Sequence, residues 1–298
     1  MGRVGVAFMQ KVKVPLRISI IGGGTDNLDY YKAHSGRTIS CAIDKYVTLR
    51  RSHSYVLRIN GVHPSSNPLF KRICNRLGII RGNFQLQTDA QHGMGLGASS
   101  ALTVAFVRLC LPDLHLSQTA ELAYHIEHPI TGCGRQDAYT AVYGGMCDIH
   151  YGKTGKVQVC QMDVTKLKHF NFMLFSVGLP RVSSEYYKRW DTSKLIPYRE
   201  LTDSAYQAIN GMDTASLADC INRAMAIKRT ACEDVVGDEV SDVLSIGMNN
   251  GAIAGRLLGA GGSGHVIFMV EDGERDRLAK SLHFIAKEVS FEFVGGAV

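Results

Sequence analysis

Apolar residues alternate with polar ones, or run together, in several stretches of the first part of the chain, which is the pattern of β-strands. The first stretch covers residues 12–21 and stops at the glycines 22–24. Residues 46–50 and 55–59 alternate on either side of a polar tetrapeptide, so we predict a hairpin there. A further strand is predicted over residues 84–88.

Helical spacing is more frequent in the next part of the chain. A short helix is expected over residues 68–77, and the apolar run 101–111 predicts a longer one. Ser117 can cap another helix, in which residues 120, 123, 124 and 127 share one face because three or four positions separate them. A further short helix over residues 138–142 would stop at a pair of glycines.

Residues 148–164 predict a hairpin that closes a first domain. In the second half, we predict a strand over residues 171–177 and then a run of helices that ends at about residue 231. One more helix over residues 246–258 and a strand over residues 265–270 are predicted to follow. We therefore predict an α+β protein with two domains, residues 1–168 and 169–298.

Length and composition agree with two ordinary domains. The chain has 298 residues, of which 45% are hydrophobic, so both domains can bury a core. The formal charge of +6 comes from scattered basic residues, which favours small anionic ligands weakly. A solvated, slightly basic surface explains the charge equally well, and we expect no nucleic-acid partner because no concentrated basic patch occurs.

The eight cysteines form no C-x-x-C pair, which gives no indication of a zinc site. Several lie in apolar stretches, where a free cysteine behaves as a small core residue. The longest apolar run, residues 101–111, is too short to span a bilayer and contains Arg108. We predict a cytoplasmic protein without a membrane segment.

The most informative stretch is Gly-Met-Gly-Leu-Gly-Ala-Ser-Ser-Ala, residues 93–101, between a predicted strand and a predicted helix. Its alternate glycines let a ligand approach the backbone, and the helix start offers unpaired N–H groups, a combination that binds phosphate. Ser99 and Ser100 add hydroxyls suited to magnesium. The sequence matches neither a Walker loop nor a dinucleotide fingerprint, and a plain tight turn remains an alternative.

The sequence pattern alone allows two interpretations for each of four charged residues. Arg17 lies in an apolar strand, either at an edge or facing inward with a partner. Asp26 and Asp137 both stand where they could simply cap a helix. Glu127 lies on the apolar face of its helix, so it needs magnesium or an arginine, unless the last turn before a proline frays into solvent.

The glycine loop resembles the second motif of the GHMP superfamily of small-molecule kinases, named after galactokinase, homoserine kinase, mevalonate kinase and phosphomevalonate kinase. Within it, Pro-Leu-Arg-Ile-Ser at 15–19 and Gly-Gly-Gly-Thr-Asp at 22–26 are similar to the D-glycero-D-manno-heptose 7-phosphate kinases. Gln91 and Ala98 depart from the usual Pro and Ser. The resemblance implies an N-terminal domain like ribosomal S5 domain 2 and a ferredoxin-like C-terminal domain.

The resemblance also implies roles. The triphosphate of ATP would be held by Gly93, Gly95, Leu96, Gly97, Ala98, Ser99 and Ser100. Ser99 and Glu127 would hold Mg²⁺, Asp137 would be the catalytic base, and Arg17 would stabilise the developing charge. The acceptor sugar would contact Gly23, Gly24, Thr25 and Asp26, and we nominate Arg181 and Lys228 for its phosphate. A third motif at residues 259–264 would pack against the glycine loop.

The expected activity is phosphorylation of the anomeric hydroxyl of a heptose 7-phosphate, a small-molecule sugar phosphate. Two alternatives stay open: a kinase of the same superfamily acting on fucose, galactose or a mevalonate-like acid, and a sensor that binds ligand without catalysis. The sequence leaves the assembly open, with a homodimer as one option.

Overall fold

The computed structural model describes residues 11–90, 93–178, 185–186, 188–232 and 234–295. Gln91 and Arg181, both singled out from the sequence, lie outside the described residues. The remaining candidate residues all fall within them.

The first sheet is built from the N-terminal half of the chain. Its spatial order is β3-β4-β2-β5-β6, and β1 pairs with β2 off this path. The strands are β1 (Lys11–Ile21), β2 (Gly36–Ser52), β3 (Arg58–Ile59), β4 (Asn83–Thr88), β5 (Met146–Tyr151) and β6 (Val157–Met162). Most inward side chains of β1 and β2 are branched and fully buried, which suits the pleated surface of a sheet.

The same half of the chain also contains helices. They are α1 (Leu28–His34), α2 (Pro68–Leu77), α3 (Ala98–Cys110), α4 (Leu116–Thr131) and α5 (Gln136–Tyr143), with a 3₁₀ turn at Pro64–Ser66. The helix α3 packs against β1, β2, α4 and α5. It is buried on nearly every side, as expected of a helix that is apolar all round.

The second sheet has the order β10-β7-β9-β8. Its strands are β7 (Phe172–Val177), β8 (Ala252–Leu257), β9 (Gly264–Val270) and β10 (Lys287–Val289). The helices of this half are α6 (Tyr198–Gly211), α7 (Thr214–Ala231), α8 (Asp238–Met248) and α9 (Arg275–Leu282), with 3₁₀ turns at Val164–His169 and Thr192–Leu195. The domain division at residue 168 stays a prediction.

The predicted hairpin over residues 46–59 is wrong. The strand β2 runs for 17 residues and pairs with β1, β4 and β5, all of them remote in the chain. Residue Tyr55 is 82% exposed, and only Arg58–Ile59 forms a strand, parallel to β4. The polar tetrapeptide has no Asn-Gly or similar pair that would favour a tight turn, and long-range pairing therefore decides the path.

The predicted helix over residues 246–258 is also wrong. The helix α8 ends at Met248, and the following Asn-Asn-Gly turn includes Gly251 at φ +98°. Such a left-handed glycine is a common helix stop, which the apolar pattern concealed. The chain then enters β8, so the third glycine motif joins two strands.

The start of α4 differs from the expected one. His115 is the N-cap, and its Nδ1 accepts from the N–H of Ser117, while the side chain of Gln118 accepts from the N–H of His115. Ser117 is therefore inside the helix and not its cap. In the described part of the chain, no helix is long and apolar enough to cross a membrane.

Candidate active site

The glycine loop connects β4 to α3, as the sequence predicts. Its glycines Gly93, Gly95 and Gly97 all have positive φ, between 73° and 83°, which residues with a Cβ rarely adopt. Gly97 is the N-cap of α3, so the first N–H groups of the helix point towards the loop. The loop thus has the geometry of an anion-binding helix start.

The third glycine motif packs closely against this loop. A Cβ at Gly95 would lie 2.8 Å from the carbonyl oxygen of Leu258, and one at Gly264 would lie 2.7 Å from that of Met94. The Nδ1–H of His265 donates to the same Met94 oxygen at 2.7 Å, and burial lowers the pKa of this imidazole. His265 therefore joins the second sheet to the glycine loop.

Arg17 and Asp137 form an ion pair beside the loop. The Nε and Nη2 atoms of Arg17 lie 2.8 Å and 2.7 Å from Oδ1 of Asp137, and Nη1 donates to the carbonyl oxygen of Gly95 at 2.6 Å. Arg17 is only 4% exposed, so the edge reading of this residue is wrong. Asp137 lies in the first turn of α5 without capping it, because its carboxylate faces Arg17.

Asp26 is buried next to this pair. Its Oδ1 accepts from the N–H of Gly24 and its Oδ2 from the N–H of Gln136, both at 3.0 Å. The N-cap of α1 is Asn27, so Asp26 is not a cap. Burial, together with the charge of Asp137, raises the pKa of Asp26. Space is tight here, since a Cβ at Gly134 would lie 1.9 Å from Oδ2 of Asp26.

Thr25 does not line this site. It is fully buried, its hydroxyl lies 2.8 Å from the carbonyl oxygen of Gly22 and 2.9 Å from that of Arg37, and it accepts from the N–H of Arg37. Thr25 therefore anchors the glycine turn to β2. Its predicted contact with a substrate has no support from its position.

A small cavity collects most of the remaining candidates. It is lined by Arg17, Ser19, Gly23, Gly24, Asp26, Gln136, Asp137, Trp190, Lys228, Arg256 and Gly259. The sequence reasoning missed Ser19, Gln136, Trp190 and Arg256. Trp190 is the single tryptophan of the chain, and Arg256 stands in an apolar run as Arg17 does, so both carried a usable signal. A second cavity, of about 610 Å³, borders Met94 and Leu96 of the glycine loop.

Glu127 lies inside the protein, not in a frayed turn. It is 0% exposed, and α4 continues past Pro129 to Thr131. The hydroxyl of Ser100 donates to Oε2 at 2.5 Å, and that of Thr131 to Oε1 at 3.3 Å. Burial raises the pKa of Glu127 to about 7, although hydrogen bonds from Ser100 and Ser99 oppose the rise.

These oxygens fit a magnesium ion held mainly by substrate phosphates. Within the described ranges, no group of three or more His, Cys, Asp or Glu side chains could hold a metal by itself. Mg²⁺ commonly takes only one or two carboxylates and completes its shell with phosphate and water. Glu127 and the hydroxyl of Ser99 offer such a partial set at the start of α3.

The buried Glu127 predicts a pH-dependent stability. The folded protein keeps a proton on Glu127 up to about pH 7, whereas the unfolded chain loses it near 4.5. The contribution to the free energy of unfolding is thus complete below 4.5 and is lost as the pH rises through about 7. The difference corresponds to about 3 kcal/mol.

We expect Glu127→Gln to remove this dependence. Urea unfolding at pH 5 to 8 in the presence of a chelator measures it, as the difference between wild type and variant at each pH. Equal pH slopes for the two proteins would contradict the assignment. Added magnesium should stabilise the wild type most at the higher pH, where the carboxylate is ionised.

Comparison with known proteins agrees with a phosphate-binding glycine loop beside Glu127 and Asp137. Residues 67–145, which contain the glycine loop, Glu127 and Asp137, match the GHMP kinases N terminal domain. The chain is 25% identical over 321 residues to the D-glycero-alpha-D-manno-heptose 7-phosphate kinase of Campylobacter jejuni, covering 91% of this chain and 92% of the relative. The chain therefore contains a stretch that matches the N-terminal domain of the GHMP kinases and resembles a kinase of that type over most of its length. Its curated relatives are kinases, which supports an ATP-dependent phosphotransferase.

Other proteins similar to this chain have different acceptors in their names. The mevalonate kinase of Methanothermobacter thermautotrophicus is 23% identical over 256 residues, covering 78% of this chain and 83% of that one. A solved D-glycero-D-manno-heptose 1-phosphate kinase from Bacteriodes thetaiotaomicron has a TM-score of 0.74 at 20% identity, covering 96% of this chain and 97% of the other.

Methanococcus jannaschii mevalonate kinase has a TM-score of 0.73 at 18% identity, covering 98% of this chain and all of the other. The same two-sheet arrangement thus occurs in kinases with different acceptors. The predicted α+β GHMP kinase architecture is confirmed.

Proposed function

We propose that this protein transfers the γ-phosphate of ATP to the anomeric hydroxyl of D-glycero-D-manno-heptose 7-phosphate, giving the 1,7-bisphosphate. The observation that carries the proposal is the Arg17–Asp137 ion pair, which lines a cavity beside the glycine loop. A heptose kinase among the relatives supports the choice of acceptor.

The glycine loop would bind the triphosphate. Its positive-φ glycines leave the backbone open, and the start of α3 supplies N–H groups and the positive end of a helix dipole. Ser99 and Glu127 would hold Mg²⁺, which when bound neutralises charge on the phosphates. Glu127 would then act as a carboxylate, since a neighbouring cation favours its ionised form.

Asp137 would take the proton of the acceptor hydroxyl at one of its carboxylate oxygens. Arg17 holds this carboxylate in place through Nε and Nη2, and Nη1 fixes Arg17 to the glycine loop. Arg17 thereby fixes the position of the base relative to the phosphate-binding loop. Phosphoryl transfer depends mainly on such positioning and on charge stabilisation, which the guanidinium also supplies.

The acceptor would occupy the cavity beside Asp137. Gly23 and Gly24 let it approach the backbone, and Asp26 offers carboxylate oxygens to sugar hydroxyls. Lys228 lines the same cavity and would contact the acceptor's phosphate. The other residue nominated for that phosphate, Arg181, lies outside the described residues.

A cytoplasmic location and a homodimer remain predictions. Acceptors such as fucose, galactose or mevalonate remain alternatives, because relatives of this chain include mevalonate kinases. A sensor without catalysis is less well supported, since a pure binding protein gains nothing from a positioned base.

The test is ADP release by the purified protein with ATP and magnesium, for each of a set of acceptors. The set holds D-glycero-D-manno-heptose 7-phosphate, sedoheptulose 7-phosphate, mannose, fucose, galactose and mevalonate. We expect turnover with the heptose phosphate at a kcat/KM well above the others. Turnover confined to another acceptor would replace the substrate, and no turnover at all, despite nucleotide binding, would favour the sensor.

A further inference from the structure

The cavity beside Asp137 contains an arginine that no catalytic assignment uses. Arg256, in β8, is 3% exposed, and its Nη1 donates to the carbonyl oxygen of Ile20 at 2.7 Å. Its Nε is buried and has no hydrogen-bond partner among the described residues. A buried polar atom without a partner is uncommon and calls for an explanation.

The other buried arginines of the described chain differ from it. Arg17 pairs with Asp137. The Nε of Arg135 also lacks a hydrogen bond within the described chain, but it lies 2.9 Å from a carboxylate oxygen of Glu121, and Nη2 of Arg135 donates to the other oxygen at 3.2 Å. No carboxylate within 4.0 Å of Arg256 occurs in the described residues. Burial lowers the pKa of Arg256, and the charge of Arg17 adds to the effect. An arginine nevertheless stays protonated, so Arg256 carries a buried charge that forms no ion pair with any described carboxylate.

A second cation lies nearby. Lys228, in α7, is 1% exposed. Its Nζ donates to the carbonyl oxygens of Leu257 and Gly259, which follow Arg256 closely in the chain. The cavity therefore holds the cations Arg17, Lys228 and Arg256 against the carboxylates Asp26 and Asp137. Arg17 pairs with Asp137, whereas Arg256 forms no ion pair with any described residue.

We propose that Arg256, together with Lys228, binds the anionic group of the acceptor and so restricts the enzyme to sugars that already carry a phosphate. This inference rests on the proposed function for the identity of the acceptor. A guanidinium offers several N–H donors in one plane, which suits the oxygens of a phosphate. The bound phosphate would supply both the missing partner for Nε and the missing countercharge.

Trp190 allows the proposal to be tested without turnover. It is the single tryptophan, it lines the same cavity, and its Nε1 donates to the carbonyl oxygen of Ala260 at 3.0 Å. The Nζ of Lys228 lies 5.9 Å from the centre of its ring. Its fluorescence therefore reports on occupancy of this cavity in the absence of ATP.

The experiment compares two probes that differ only in the phosphate, D-glycero-D-manno-heptose and its 7-phosphate. We expect the wild type to bind the 7-phosphate about 10²-fold more tightly than the neutral sugar, the usual scale for a buried charged contact. Arg256→Gln should reduce that ratio to a few-fold and leave the affinity for the neutral sugar unchanged. Arg256→Lys should retain part of the preference.

The matched control is Arg229→Gln, which removes the same charge from the exposed neighbour of Lys228 and should behave as wild type. Equal losses of affinity for both probes in Arg256→Gln would show that Arg256 only supports the fold, through Ile20, and would overturn the proposal. Unchanged binding of the 7-phosphate would overturn it as well.

Turnover with ATP separates this inference from the proposed function. The phosphate site would be refuted, and the kinase assignment would stand, by two results together. The enzyme would phosphorylate a neutral sugar efficiently, and Arg256→Gln would change the binding of neither that sugar nor the 7-phosphate. Binding of the 7-phosphate that depends on Arg256, without turnover of any acceptor, would support the site and refute the proposed reaction.

Discussion

Replacing Asp137 by Asn should lower kcat by about 10² to 10⁴, the range for removal of a general base. The amide has nearly the same shape as the carboxylate but cannot accept the proton of the acceptor hydroxyl. Because Asp137 is 15% exposed at the edge of the cavity, the fold should tolerate the change. Steady-state ADP release at saturating ATP and acceptor measures the effect.

The matched control is Asp238→Asn. Asp238 also lies in the first turn of a helix, α8, but it is exposed and does not line the cavity. We expect normal turnover from this variant. An Asp137→Asn protein with near-normal kcat and an unchanged unfolding curve would exclude Asp137 as the base, and a loss shared by both variants would indicate a general effect on the helices.

The sequence predicted the parts of this site that are local. The glycine loop, the helix that follows it and the three glycines after β1 each carry their signal within about ten residues, and the structure has them as expected. The pairing of Arg17 with Asp137 joins positions 120 residues apart, so pattern alone left both residues with two readings. Only the family resemblance placed them together before the structure did.

The wrong and the missed predictions also concern contacts between positions that are far apart in the sequence. The strand β2 finds its partners in β1, β4 and β5, and no local turn signal reveals that choice. Arg256 and Trp190 enter the cavity from the second half of the chain, although residues before β7 form most of it. Residues that complete a site from a distant part of the sequence produce no local spacing pattern from which their role could be predicted.

The second large effect should come from Arg17. Arg17→Met keeps the length of the side chain but removes the guanidinium, and we expect kcat to fall by about 10² to 10³, as on loss of a group that stabilises developing charge. Arg17→Lys should recover little, because one ammonium cannot reproduce the contacts of Nε, Nη1 and Nη2. Arg50→Met, an exposed position on the neighbouring strand β2, is the control.

The double variant Arg17→Met with Asp137→Asn decides whether the two residues act as one unit. If Arg17 works by holding Asp137 against the acceptor, removing it from an enzyme that already lacks the base should cost little, and the combined loss should stay within about tenfold of the larger single loss. If Arg17 instead acts on the transferred phosphate independently, the two losses should multiply. The bonds from Arg17 to Asp137 and to Gly95 predict coupling, since one guanidinium connects the base to the phosphate loop. Fully multiplicative losses would show that this connection has no part in catalysis.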